Sequence, residues 1–152
     1  MKKTERINAF VATLGAAPDR TFDPRYTGYF ACFNAQQYYE AHDVLEDLWL
    51  QTRGADHLFY KGLIQLAGAF VHLQKQALHP THPKHGRRLR PAARLFALAQ
   101  RNLEPYGPLH HRLDVTALCA LCHATAAELA ATGFDFNPWQ PGRAPQLQLL
   151  PA

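Results

Sequence analysis

The chain has 152 residues, of which 47% are hydrophobic and 18% charged, and its formal net charge is +4. This composition excludes a disordered chain and suits one globular domain with a core of ordinary size. No apolar run approaches the roughly 20 residues of a membrane-spanning helix. Glu5, Arg6 and Asn8 interrupt the apolar residues near the N-terminus, so we expect no export signal and a cytoplasmic location.

The first half of the chain contains four predicted segments. Helical spacing of apolar residues predicts a helix from Thr4 to Leu14, followed by a loop over residues 16–24 and a short aromatic helix over residues 25–33. Asn34 is the predicted N-cap of a long helix that runs to about Thr52, with Gln37 as its capping-box partner. A third helix is expected over residues 56–76 and should be the central one.

The second half contains two further predicted helices. A Pro/His loop over residues 79–86 precedes a helix over residues 87–103, with Pro91 in its first turn. A last helix should begin after Asp114 as N-cap and end at Gly133. The expected fold is all-α: a compact bundle of about five helices forming a domain over residues 1–133, with an extended C-terminal tail over residues 134–152.

The long second helix carries an unusual polar pair. At about 100° per residue, one stripe of the helix is polar and should face water, and the opposite arc is apolar and should face the core. The polar stripe contains Gln36, Glu40, Asp43 and Asp47, and the apolar arc contains Tyr38, Leu45 and Trp49. His42 falls inside the apolar arc and Glu46 on its edge beside Tyr39, one turn apart on the helix.

A buried imidazole and carboxylate need partners, because an unpaired charge in the core is costly. Three interpretations are open for His42 and Glu46: a polar network that fixes helix packing, ligation of a divalent metal, or acid–base chemistry in which Glu46 orients His42. The packing network is favoured, because two residues alone are a weak site signature. Further network or ligand candidates are Tyr39, Glu40, Gln65 and His72, of which His72 could be a third metal ligand.

The third helix has its own polar stripe, formed by Lys61, Gln65, Gly68, His72 and Gln76. The amphipathic pattern favours a stripe that faces solvent. The alternative turns Gln65 and His72 toward His42 and Glu46, and Gly62 and Gly68 would permit a close helix approach there. Periodicity does not choose between these two orientations.

Two blocks of residues resemble a known family. The first consists of Phe33-Asn34, then Tyr38-Tyr39-Glu40-Ala41-His42-Asp43, Glu46 and Trp49, and the second of residues 59–65 with His72 after them. A weaker third block covers residues 86–89. These blocks resemble the F-N…Y-E-A-H-E-x-x-E-x-x-W signature of small helical proteins catalogued as domain of unknown function 309, over about residues 26–106. Asp43 replaces the usual glutamate.

The resemblance implies a compact all-α fold and places Glu40, His42, Glu46, Gln65 and His72 at motif positions. It implies no activity, because the family has no established one. It does favour an orientation in which Gln65 and His72 face the second helix.

A Cys-x-x-Cys-His sequence at Cys119, Cys122 and His123 matches the attachment motif of c-type haem. The context argues against haem, because we expect no export signal and the segment is predicted to lie in an amphipathic helix. Core packing is therefore favoured for these cysteines over haem or a redox or metal-binding thiol pair, and the odd count of three cysteines agrees with reduced thiols.

A basic stretch covers residues 79–112, which contain seven Lys and Arg side chains against Glu104 alone, a net charge of +6. It could contact phosphates, but no nucleic-acid reading module accompanies it. The basic-surface candidates are Lys84, Arg87, Arg88, Arg90 and Arg94.

Three functional hypotheses follow. The favoured one is a non-enzymatic helical module whose polar residues stabilise a core or an oligomer interface. The second is a metal-dependent or acid–base site on His42 and Glu46, with a divalent metal as its only expected cofactor. The third, less favoured, is a basic surface for nucleic acid or an acidic partner. A homo-oligomer is compatible with the sequence, and no membrane partner is expected.

Overall fold

The computed structural model describes residues 2–14 and 21–151, and this part of the chain is all-α, as the sequence predicts. Its six α-helices include the short aromatic helix. They are α1 (Lys3–Ala12), α2 (Pro24–Asn34), α3 (Tyr38–Gln51), α4 (His57–Leu78), α5 (Leu89–Leu103) and α6 (Val115–Ala131). A two-residue antiparallel hairpin of β1 (Leu109–His110) and β2 (Leu113–Asp114) precedes α6. Short 3₁₀ turns occupy Glu104–Tyr106 and Pro141–Arg143.

The ends of the helices follow the local sequence in most places. The Asp114 carboxylate accepts a hydrogen bond from the Ala117 amide at 2.9 Å, so its predicted role as N-cap of α6 is confirmed. Gly133 has φ 62° just after α6, the left-handed conformation that ends a helix without steric cost for glycine. Pro91 lies in the first turn of α5, as predicted. Residues 16–20 of the predicted first loop lie outside the described residues.

The predicted N-cap at Asn34 is wrong. Asn34 is the last residue of α2, and a turn in which Gln36 has φ 61° separates α2 from α3. Gln37 precedes α3 and makes no side-chain capping bond. The Asn34 side chain is instead used in a tertiary contact with Leu147 in the tail, more than a hundred residues away.

The core lies around α4, which packs between α3 and α5. Phe70 at its centre contacts the rings of Phe33, Tyr38 and Phe96, with centroids 5.1, 5.2 and 5.3 Å away. Gly62 permits the close approach of α5, because a Cβ at this position would lie 2.8 Å from Leu103 Cγ. The close approach expected at Gly62 therefore occurs, but against α5 rather than α3.

The aromatic residues of α2 belong to this core. Tyr26, Tyr29 and Phe30 are all buried in the bundle. Within the described ranges, no helix combines the length and apolarity that a membrane span requires.

The C-terminal tail is extended and firmly attached to the bundle. Trp139 and Leu147 are buried against it, with 6% and 9% of their surface exposed. The Leu150 amide donates to the carbonyl of Arg112 at 2.7 Å, which ties the end of the tail to the hairpin.

Candidate functional site

The most buried ionic cluster joins α1, α2 and α3 through Arg25 and Asp47. Arg25 NH1 donates to Asp47 Oδ2 at 2.6 Å, and these residues are 8% and 4% exposed. The guanidinium also donates to both oxygens of Asp23 and to Gln51 Oε1, and Thr4 Oγ1 donates to the other Asp47 oxygen at 2.9 Å. The Arg25 guanidinium and both carboxylate oxygens of Asp47 therefore all have hydrogen-bond partners.

The surroundings of Arg25 shift the acid–base equilibria of the cluster. Hydrogen bonds from Arg25 lower the pKa of Asp23 against the opposing effect of burial. The hydrogen bond to Asp23 raises the pKa of Arg25, which burial alone would lower. Both shifts favour the charged forms, so the cluster behaves as a permanent ion network that packs three helices together.

The prediction that Asp47 is exposed is wrong, and so is the prediction that His42 and Glu46 are buried. Asp47 is the buried residue, whereas the side chains of His42 and Glu46 are each 31% exposed. A helical wheel identifies an apolar arc but not the neighbours that flank it. Here α1 and α2 both pack on the Asp47 side of α3, which buries a position that the polar stripe assigned to solvent.

His42 and Glu46 do lie close together. His42 Nε2 is 3.9 Å from Glu46 Oε2, and Lys3 Nζ of α1 is 3.3 Å from Glu46 Oε1. His42 Nδ1 lies 3.5 Å from Asp43 Oδ1 but is buried without a hydrogen-bond partner in the described part of the chain. Tyr39 is 58% exposed and stacks against the His42 ring at 6.5 Å. Glu40 is also exposed.

Gln65 and His72 are half-buried, and their hydrogen-bond partners lie on α5 and on the segment before it. Gln65 Oε1 accepts a hydrogen bond from Asn102 of α5 at 2.8 Å, and His72 Nδ1 lies 3.0 Å from Arg88 NH1. Burial lowers the pKa of His72, and the charges of Arg88 and Lys75 lower it further. The two residues therefore connect α4 to α5 and to the segment before it, and they do not join His42 and Glu46 in one site.

The basic-surface residues divide into two groups. Arg88 is half-buried and engaged by His72 and by His85, whose Nδ1 lies 2.7 Å from Arg88 NH2. Arg90 lies over the Phe134 ring at 4.3 Å and is exposed. The other three candidates, Lys84, Arg87 and Arg94, are exposed.

Of the two cysteines of α6, Cys122 packs in the core as the sequence favours, and Cys119 is half-buried against it. Val115, Leu118, Cys122 and Leu129 are the buried residues of this helix. Burial raises the pKa of the Cys122 thiol to about 12 and that of Cys119 above its ordinary value. Neither thiol is therefore expected to ionise near neutral pH, and a thiol must ionise to act as a nucleophile.

A further polar cluster brings Asp56 together with His110 and His111. His110 Nε2 donates to Asp56 Oδ1 at 2.8 Å, and His111 Nε2 donates to Asp56 Oδ2 at 2.6 Å. Burial alone would raise the pKa of Asp56, but the bonds from His111 and His110 and their charges lower it. The sequence signals only the His110-His111 dipeptide, because Asp56 lies 54 and 55 residues away.

The tail binds at two positions of the resembled signature. Asn34 Nδ2 donates to the carbonyl of Leu147 at 2.9 Å, and the Leu147 amide donates back to Asn34 Oδ1 at 2.7 Å. Trp139 Nε1 donates to the buried Tyr38 hydroxyl at 3.1 Å. The signature residues thus hold a segment of the chain that lies outside the signature.

Residues 26–81 match the family model described as domain of unknown function (DUF309). The family resemblance is confirmed over these residues, whereas the third block at residues 86–89 and the extension to about residue 106 lie outside the match. The DUF309 match covers α2 from Tyr26 onward, all of α3 and α4, and the start of the following loop. It contains Asn34, Tyr38, His42, Gln65 and His72. His110, His111 and the C-terminal tail lie beyond it. Neither a curated protein nor a solved structure matches the chain significantly.

Proposed function

We propose that this protein is a helical scaffold in which the polar residues of the DUF309 signature hold helices and the C-terminal tail in fixed positions. The observation that carries the proposal is the use of those residues in long-range contacts. Asn34 and Tyr38 bind the tail, Gln65 binds α5, and His72 binds Arg88.

The contact between Asn34 and Leu147 is the strongest element of this proposal. One side-chain amide satisfies both backbone groups of Leu147, in the way a neighbouring strand would. Removing it leaves a partly buried N–H and C=O without partners, at a cost of roughly 1–3 kcal/mol. Asn34 therefore fixes the register of the tail on the bundle.

Urea unfolding of Asn34→Ala tests the scaffold proposal. The variant should lose about 1–3 kcal/mol of unfolding free energy, and its residues 137–151 should become sensitive to limited proteolysis. Glu40→Ala is the matched control, because Glu40 is an exposed signature position on the adjacent helix. Equal stability and an equally protected tail in Asn34→Ala and Glu40→Ala would rule the proposal out.

A second candidate is a metal-dependent or acid–base site on His42 and Glu46. It is favoured by the buried His42 Nδ1 without a hydrogen-bond partner among the described residues, a kind of atom that often marks a site for water or a ligand. Metal content of tag-free wild type and His42→Ala, measured by plasma mass spectrometry, separates it from the scaffold. Near-stoichiometric metal that disappears in the variant would support the site.

The basic surface and the cytoplasmic location complete the sequence-based proposals. Salt-dependent retention on heparin that falls in an Arg87→Ala/Arg94→Ala variant would support the basic surface as a binding site for a polyanion.

Cys32, Cys119 and Cys122 are free thiols, which agrees with a reducing compartment. Subunit packing is tested by sedimentation velocity of the wild type.

A further inference from the structure

The cluster of Asp56, His110 and His111 has the composition of a metal site. One potential ligand atom from each residue lies within 4.8 Å of the other two, and within the described ranges this is the one group of three His, Cys, Asp or Glu residues that converges in this way. The three side chains are 27–30% exposed. The ligand atoms are therefore held together while remaining reachable from solvent.

The hairpin turn explains how two consecutive histidines present their rings to one carboxylate. Side chains of consecutive residues in an extended strand point to opposite faces. His111 and Arg112 instead have φ 46° and 60°, the positive values of a two-residue type I′ turn between β1 and β2. The two imidazole rings consequently lie side by side, with centroids 4.1 Å apart.

Neighbouring groups hold this arrangement in place. The Tyr26 hydroxyl donates to the backbone carbonyl of His111 at 3.0 Å, which anchors the turn to α2. The His110 ring packs against Phe59 and Tyr106, with centroids 4.6 and 5.0 Å away. An aromatic wall of this kind restricts ring rotation and excludes water from one side of the cluster, which strengthens electrostatic interactions there.

Asp56 occupies a position where another role would be expected. It is the N-cap residue of α4, yet its side chain makes no capping hydrogen bond to the helix. Both carboxylate oxygens point instead to the imidazoles. The positive end of the helix dipole still favours the carboxylate in its charged form, which is the form that binds a cation.

We propose that Asp56, His110 and His111 bind a divalent transition-metal ion of the zinc class and leave at least one coordination position open. Zinc binds imidazole nitrogen and carboxylate oxygen at about 2.0–2.2 Å, so that tetrahedral ligand atoms stand about 3.3–3.5 Å apart. The bonded pairs at 2.8 and 2.6 Å reach this spacing by small side-chain rotations. For the ion to bind at Nε2, a neutral imidazole carries its one proton on Nδ1, and an imidazolium releases its Nε2 proton to solvent.

The donor set selects among cations. Two imidazoles suit zinc, copper, nickel and iron, whereas magnesium and calcium take mainly oxygen ligands. Three protein ligands with a solvent-exposed edge correspond to the open zinc sites that keep a water or substrate in the fourth position.

Zinc titration of the full-length, tag-free protein against a chromophoric chelator tests the site. The wild type should bind one equivalent, and Asp56→Asn and His110→Gln should each weaken the affinity by more than about tenfold. His82→Gln is the matched control, because the exposed His79 and His82 lie with the half-buried His85 in a separate histidine-rich loop. Its affinity should equal that of the wild type.

Nuclear magnetic resonance of the wild type gives a result that does not depend on a folded variant. One equivalent of zinc should shift the ring resonances of His110 and His111 and leave those of His42 and His82 in place. A wild type that binds no zinc would overturn the site. Binding that survives both ligand substitutions, or disappears in His82→Gln, would overturn it as well.

Discussion

Two aspartates of this protein meet basic side chains, with opposite consequences. Around Asp47, the contacts are buried or partly buried, and the Arg25 guanidinium is engaged by three different side chains. Around Asp56, two half-exposed imidazoles share one carboxylate. Arginine cannot lose its proton in a protein, so the first cluster has no capacity left for a ligand. Histidine can, so each Nε2 of the second cluster can give up the proton it shares with Asp56 and offer a lone pair to a cation.

This difference separates polar residues that fix packing from polar residues that can exchange a proton for a cation. Burial alone does not identify a site, because the more buried cluster is the one with saturated hydrogen bonds. Breaking a buried ion pair leaves an uncompensated charge and is strongly destabilising. Changing a half-exposed pair costs little in stability, so its effect should be visible mainly in binding.

Asp47→Ala should produce the largest effect. It leaves the buried Arg25 with Asp23 and Gln51 but without its most buried partner, and we expect a loss of about 3 kcal/mol of unfolding free energy. Urea denaturation followed by circular dichroism measures the loss. Glu40→Ala, on the exposed side of the same helix, controls for removing a carboxylate from α3. A loss below about 1 kcal/mol would show that the cluster is no more than a surface-type ion pair.

Zinc should stabilise the folded protein through the second cluster only. At a free zinc concentration about 100 times the dissociation constant, the unfolding free energy of the wild type should rise by about 2.7 kcal/mol. Asp56→Asn should lose about half of this gain or more, because an affinity at least tenfold weaker leaves zinc at no more than about 10 times its dissociation constant. Asp47→Ala, starting from a lower stability, should keep the whole gain. Thermal unfolding with and without zinc measures both. A gain that disappears equally in the two variants would show that the clusters are not independent.

The sequence predicts where the helices lie more accurately than it predicts which face of each helix is buried. The spacing of apolar residues and the cap at Asp114 are local signals, and they place the helices nearly where the structure has them. The side-chain partners of Asp47 lie on α1 and α2, which the α3 sequence does not contain. A helical wheel of α3 therefore assigns Asp47 to solvent, and only the packing of two other helices corrects it.

The candidate metal site was beyond sequence prediction for a related reason. A His-His dipeptide predicts no direction for either ring until the turn type is known, and no spacing rule connects it to Asp56. The attachment of the tail was equally hidden from the sequence, because Asn34 is of a residue type that is common at helix N-caps but binds Leu147 instead. Local patterns lose their predictive power where a side chain finds its partner across the fold.

A third polar cluster, at His72, lies between the two extremes and should give the smallest effect. The pKa of His72 is lowered by burial and by the charges of Arg88 and Lys75. A histidine in an unfolded chain has a pKa of about 6.5. Below that pH the unfolded chain takes up a proton that folded His72 resists, so stability should fall as the pH drops from about 6.5 toward the lowered folded pKa.

Urea midpoints of wild type and His72→Gln between pH 5 and pH 8 measure this dependence. Glutamine keeps an acceptor for Arg88 but does not titrate, so the variant should lose stability less steeply on acidification. His79→Gln, on the exposed loop, is the matched control and should follow the wild-type profile. If the urea midpoint of His72→Gln falls on acidification with the same slope as that of the wild type, His72 is protonated as easily in the folded protein as in the unfolded chain. The cluster would then resemble the exchangeable imidazoles at Asp56 more than the permanent charge at Arg25.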